Sequence, residues 1–282
     1  MSGWRRELQC MSGQDKEDFN WWKAINKRWP YLKVIMIGLI LVGVGLNFLG
    51  VGVKRVGETV IYKVPKVSKE VWVKVPERPW RVLEGKKLVA LTFDDGPDPV
   101  TTPKLLKFLY DQNVSVTFFM LGFRARDNVD LVKWAGENHE IGSHTMWHNN
   151  LTKLSVSEVR ADIQDAKGVF KHILGQEPIL MRPPYGAINR VVRENAGGIM
   201  IGWTVDTLDW QHKNPVLTVQ RVMEQVFDGA IILMHDIHAT SVEAVPTVVE
   251  KLREAGYEFV TVSELAKIKG ESLKRGVFYG SF

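Results

Sequence analysis

From Lys87 onward the chain alternates short apolar runs with longer stretches in which apolar residues recur every three or four positions. The runs at 87–93, 114–121, 139–144, 178–183, 199–205, 229–235 and 257–262 have the length of buried strands. Their β-branched and aromatic content favours strand over helix. Between them, 101–113, 128–138, 155–175, 217–227 and 241–256 carry helical spacing. Two of these have start signals: Thr102 before Pro103 reads as an N-cap followed by Pro at the first helical position, and Ser155 with Glu158 reads as a capping box. Repeated strand–helix units predict a mainly parallel sheet covered by helices.

A closed barrel and an open doubly wound sheet both satisfy this pattern. The unusual residues discriminate between them. Asp94 and Asp95, His144, Arg182, Asp206 and His235 each fall at or just past the C-terminal end of a different predicted strand. In a barrel those ends share one rim, where active sites gather. The predicted class is therefore α/β, with a barrel-like sheet.

The N-terminal pattern is different. Val34 to Val53 is an uncharged, mainly apolar run, with Asn47 its only strongly polar side chain. About 20 such residues suffice to cross a bilayer, so a single transmembrane anchor is expected. Basic residues flank it on both sides, which leaves the positive-inside rule little asymmetry to use. The expected organisation is a cytoplasmic segment over 1–33, the anchor over 34–53, a basic, Pro-punctuated extended linker over 54–86, a folded domain over 87–269 and a tail over 270–282. The formal net charge is +5 and the only cysteine is Cys10. Everything after the anchor therefore lacks disulfide and thiol chemistry. The linker reads as a solvated stalk whose charge also suits anionic headgroups or an anionic wall polymer. No nucleic-acid partner is expected, and the oligomeric state is left open.

Chemistry concentrates at the strand ends. In VALTFDDGPDP, Val89 to Pro99, two adjacent carboxylates close an apolar strand. They repel one another, so the site should supply a cation or a proton. Successive strand residues point to opposite faces, and Gly96-Pro97 is a turn signal that lets both reach one place. In GSHTMWHNNL, His144 and His148 stand four apart, and a helical turn there would aim both imidazoles at one metal ion. Two imidazoles and a carboxylate leave coordination positions open, as in catalytic zinc sites.

TFDDGP, HTMWH, RPPYG, DTLDW and LMH, in that order, resemble the five motifs of the polysaccharide deacetylases, the NodB-homology or carbohydrate esterase family 4 enzymes. The resemblance runs from about Lys87 to Lys269. It implies a distorted (β/α) barrel, here preceded by the single transmembrane helix. Carried over by position, it makes Asp94 the general base, and Asp95, His144 and His148 the ligands of one divalent ion. Zn2+ is the first choice, with Co2+, Mn2+ and Ni2+ as alternatives. It makes Arg182 the partner that orients Asp94, and His235 the general acid with Asp209, or failing that Asp206, as its acidic neighbour. The backbone N–H of Tyr185 would hold the oxyanion, Leu233 would line the acetyl pocket and Trp210 would wall it.

The activity so implied is metal-dependent removal of N-acetyl groups from the N-acetylglucosamine residues of a polysaccharide. An anchored domain outside the cytoplasmic membrane points to peptidoglycan. The alternatives are a chitooligosaccharide deacetylase, an acetylxylan O-acetyl esterase and, in another class, a non-catalytic glycan-binding module.

Overall fold

The computed structural model describes residue 83, residues 85–282 and two short strands, Gly52–Val53 and Tyr62–Lys63. Those two strands pair antiparallel. The segment 1–33, nearly all of the apolar run 34–53 and most of the linker 54–86 lie outside the described residues. Among the described residues no helix is long and apolar enough to cross a membrane. The chain divides into two compact units, Met1–Arg78 and Pro79–Phe282. All the candidate site residues belong to the second unit.

The strands of that unit are β1 Lys87–Asp94, β2 Thr117–Met120, β3 Glu140–Ser143, β4 Leu180–Met181, β5 Ile199–Ile201, β6 Val205–Asp206, β7 Ala230–His235, β8 Tyr257–Phe259 and β9 Phe278–Tyr279. Among the described residues they form one nine-stranded sheet, ordered β9-β5-β4-β3-β2-β1-β7-β6, with β8 beside β1. Every pairing in it is parallel, and it curls into a half-barrel. Strand β1 shares one edge: its first residues pair with β8 and its last with β2.

The helices are α1 Thr102–Asp111, α2 Gly122–Asp127, α3 Val129–Asn138, α4 Val156–Leu174, α5 Arg190–Asn195, α6 Asp209–His212, α7 Pro215–Gln225, α8 Ala239–Glu254 and α9 Val262–Ile268. The period of two along β1 decides what faces what. Val89, Leu91 and Phe93 pack outward against Leu105 and Leu109 of α1, Phe170 of α4 and Val245 and Val248 of α8. Leu88 and Ala90 point inward to a second core with Phe119, Ile201, Ile231 and Leu265. Thr92 and Asp94 continue that inward row. The apolar interior thus ends where the polar site begins.

Four details depart from the sequence reading. Thr101, not Thr102, caps α1, and it makes no side-chain cap bond; the Thr102 hydroxyl donates instead to Asp236 on the far side of the loop. The run at 199–205 is two strands, β5 and β6, because Gly202 to Thr204 leave the sheet between them. Helices α2, α5, α6 and α9 are too short for periodicity to disclose. The C-terminal segment does not trail away from the domain: β9 pairs with β5, and Ser281 bridges Ala230 at the foot of β7. Gly229 has φ of +101°, and a Cβ there would collide with the Phe282 carbonyl, so this crossing requires glycine. The capping box at Ser155 and Glu158 is present as read.

Candidate active site

Asp94 and His235 are register partners on neighbouring strands β1 and β7. Being register partners, they project from the same face of the curl. Below them on that face lie Thr92 and Leu233, also in register. Leu233 is therefore two residues beneath His235 and buried.

Arg182, just past β4, is wholly buried. A buried guanidinium is tolerated only when its donors are used, and here they are. One terminal nitrogen donates to Asp94 Oδ1 at 2.7 Å and Thr92 Oγ1 at 2.8 Å, the other to the Gly202 carbonyl at 2.8 Å, and Nε to the Ile201 carbonyl at 3.3 Å. Its Cζ lies 4.2 Å from the Phe119 ring centre. Burial pushes the Asp94 carboxyl up, and the Arg182 charge pulls against that rise without overturning it.

Asp95 has φ of +74°, a left-handed conformation that turns its carboxylate back toward the site that Asp94 faces. That backbone twist is how two adjacent carboxylates reach one place. Asp95 Oδ1 lies 3.4 Å from His144 Nε2 and 3.3 Å from His148 Nε2. The two histidines do not converge on a helical face, as their spacing suggested. They sit on a loop in which Thr145 (φ +72°) and His148 (φ +60°) are both left-handed. The Asp162 carboxylate on α4 accepts the Met146 N–H at 2.6 Å and the Asn149 side-chain amide at 3.4 Å, so it ties this loop down.

The donor set suits a divalent cation. One donor atom from each of Asp95, His144 and His148 lies within 4.8 Å of the others. Burial holds the His144 imidazole down at about 3, so it is neutral. Its Nδ1–H donates to the Arg182 carbonyl at 2.7 Å, which leaves Nε2 as a bare acceptor turned toward Asp95. Asp95 Oδ1 is buried without a hydrogen-bond partner. Two ligands each about 2.0–2.1 Å from a tetrahedral ion stand roughly 3.4 Å apart, close to the spacing of these atoms.

His235 completes the opposite wall. Its Nδ1 and the Asp209 carboxylate are 2.8 Å apart, and the same carboxylate accepts the His235 backbone N–H at 2.8 Å. Burial disfavours the charged imidazole, but the Asp209 hydrogen bond and charge, helped by Asp94 and Asp95, raise it to about 9. The partner is thus Asp209. Asp206 turns elsewhere and accepts the Leu208 N–H at 3.0 Å. Leu208, at φ +52°, makes the bend that separates their directions.

Tyr185 stands in the 3-10 turn Pro184–Gly186 with φ of +61°, its ring edge-on to His148 at 4.7 Å. Trp210 is half-exposed on α6, next to Asp209. Non-glycine residues with positive φ therefore cluster on this rim, where strained backbone often serves a site.

Two residues escaped the sequence reading. Asp162 is one. Asp236 is the other: it is fully buried, accepts from Thr102, and packs so tightly on Gly96 that a Cβ there would collide with its carboxylate. Burial raises its pKa to about 7. Its place directly after His235 was the only available signal.

A parallel α/β half-barrel whose strand ends gather two aspartates, two histidines, an arginine and an Asp–His pair defines a hydrolase-like site built for one cation. The family described as Polysaccharide deacetylase matches residues 82–199. Over 209 residues the chain is 46% identical to the peptidoglycan-N-acetylglucosamine deacetylase PgdA of Listeria monocytogenes, covering 73% of this chain and 44% of that protein. A peptidoglycan-N-acetylglucosamine deacetylase of Bacillus cereus is 39% identical over 199 residues, which cover 67% of this chain and 93% of that one. The solved structure of T48 deacetylase with substrate superposes with a TM-score of 0.66 at 42% identity, covering 69% of this chain and 96% of that one. This chain belongs to the polysaccharide deacetylase family. It spans less than half the length of the Listeria relative.

Proposed function

We propose that the chain is a metal-dependent N-deacetylase acting on N-acetylglucosamine residues of peptidoglycan. The observation that carries this reading is the placement of the Asp95–His144–His148 group beside the Arg182-bound carboxylate of Asp94, with the Asp209-bound imidazole of His235 facing Asp94 across the β1–β7 pair. When bound to that group, a divalent ion, Zn2+ by first choice, polarises the amide carbonyl and lowers the pKa of water.

The protein residues do the rest. Asp94 accepts the proton of the attacking water, and Arg182 holds it aimed and favours its charge. The Tyr185 N–H donates to the tetrahedral oxyanion. His235, charged below about pH 9, gives its proton to the departing amine nitrogen, which is a poor leaving group without it. Leu233 and Trp210 bound the acetyl pocket.

Acetate release from N-acetylglucosamine oligomers should stop with chelator and return with Zn2+, while acetylxylan is turned over more slowly. Activity indifferent to chelator would remove the metal role. A preference for acetylxylan would favour the O-acetyl esterase, and binding without acetate release would favour the glycan-binding module.

The apolar run 34–53 supports a single-pass membrane location, and the wall-glycan reading requires the domain to lie outside the cytoplasm. Protease added to wall-stripped cells should then digest the domain. Full protection would place it inside and sink the wall-glycan assignment.

A further inference from the structure

Beside the metal group lies an aromatic surface to which the catalytic roles assign nothing. Trp147 is 52% exposed, although it stands between Met146 and the ligand His148. Its ring stacks on Phe123 with centres 5.8 Å apart and planes within 10°. The Arg124 guanidinium lies 5.4 Å from the Phe123 ring centre. Arg124 Nε is buried without a hydrogen-bond partner.

This surface is fastened to the site. The Gly122 N–H donates to the Thr145 carbonyl at 2.9 Å and the Phe123 N–H to the Met146 carbonyl at 3.2 Å. The Leu121 N–H donates to the Gly96 carbonyl at 2.9 Å. The start of α2 is thus bonded to both loops that carry the metal-group residues. A flat apolar ring open to solvent suits the C–H face of a pyranose, and a guanidinium beside it suits a carboxylate.

We infer that Phe123, Trp147 and Arg124 form a sugar subsite for the glycan residue next to the one deacetylated, and that Arg124 recognises a carboxylate carried by that neighbour. The inference rests on the glycan reading above and deepens it. In a wall glycan the neighbour is an amino sugar with a lactyl-ether arm, whose carboxylate is free or continues into an acidic peptide. Chitin oligomers offer no such charge. The subsite would therefore separate wall glycan from neutral polymers of N-acetylglucosamine.

The test is calorimetric binding to the detergent-solubilised full chain, with chelator present so that nothing turns over. Three tetrasaccharides serve as probes: chitotetraose, an alternating oligomer with free lactyl carboxylates, and the same oligomer bearing peptide stems. The charged oligomers should bind about tenfold more tightly than chitotetraose, the scale of one charge-assisted hydrogen bond, and salt should narrow the gap. Whichever charged oligomer shows the gain identifies the carboxylate read. Arg124→Gln should erase the gain without changing chitotetraose affinity, and Trp147→Ala should weaken all three. Equal binding of all probes by the wild type, or equal losses in Arg124→Gln, would overturn the subsite. The expected binding pattern without acetate release after metal is restored would instead overturn the catalytic reading and leave the subsite standing.

Discussion

Asp94→Asn is expected to cut acetate release by about 10²- to 10⁴-fold, the range of general acid–base help, while the protein still binds its metal. Asp94 Oδ1 is taken by Arg182, and its Oδ2 stands 3.8 Å from His144 Nε2, farther than the 3.4 Å of Asp95 Oδ1. Asparagine keeps the shape and loses the proton acceptor. It also leaves the buried Arg182 charge without its counterion, and breaking such a pair can destabilise by about 3–5 kcal/mol. Denaturation must therefore be measured beside activity. A folded, metal-loaded, inactive variant is the expected outcome. Asp95→Asn is the counterpart and should lose the metal together with the activity. If Asp94→Asn loses the metal and Asp95→Asn keeps it, the two roles are exchanged.

His235→Ala should lower amide hydrolysis by about 10²-fold or more, with a smaller loss on an activated aryl acetate. A phenolate departs without a proton and an amine does not. Equal losses on both substrates would make His235 a structural or binding residue. The pH dependence has a definite sign. His235 is raised to about 9, so activity should fall on the alkaline side as the imidazole deprotonates through that value. Asp209→Asn should move that limb toward lower pH.

Stability follows the same linkage. A histidine whose folded pKa exceeds its unfolded value contributes fully below about pH 6.5 and loses that contribution as pH rises through about 9. The loss is at most about 3 kcal/mol. Asp209 is lowered: burial would raise it, but the His235 hydrogen bond prevails. Its contribution is present above the unfolded carboxylate range and is lost as pH falls through the folded value. Urea titrations of the metal-free protein across both windows should show both losses in the wild type and smaller ones in Asp209→Asn, where Asp94 and Asp95 still act on His235.

Much of the fold was legible in the sequence because period and composition are local properties. That Leu88, Ala90, Thr92 and Asp94 share one face of β1 and Val89, Leu91 and Phe93 the other follows from alternation, whereas the fold decides which face looks inward. Ser155 and Glu158 marked the start of α4 for the same reason. Residue types near the strand ends named the chemistry, since paired carboxylates, spaced imidazoles and a buried-strand context are uncommon together.

Only the tertiary structure decided how those groups converge. Nothing local says that Asp95 is left-handed, or that His144 and His148 meet through a strained loop and not a helical turn. DTLDW offers two acids to His235, and the bend at Leu208 selects Asp209 by turning Asp206 away. Asp162 and Asp236 look like ordinary surface acids until the fold buries them against the metal loop and the Gly96 turn. The C-terminal residues join the sheet through contacts with β5 and β7, far from them in the chain. Side-chain type and local pattern are written residue by residue, whereas burial, register and direction arise between residues that only the completed fold makes neighbours.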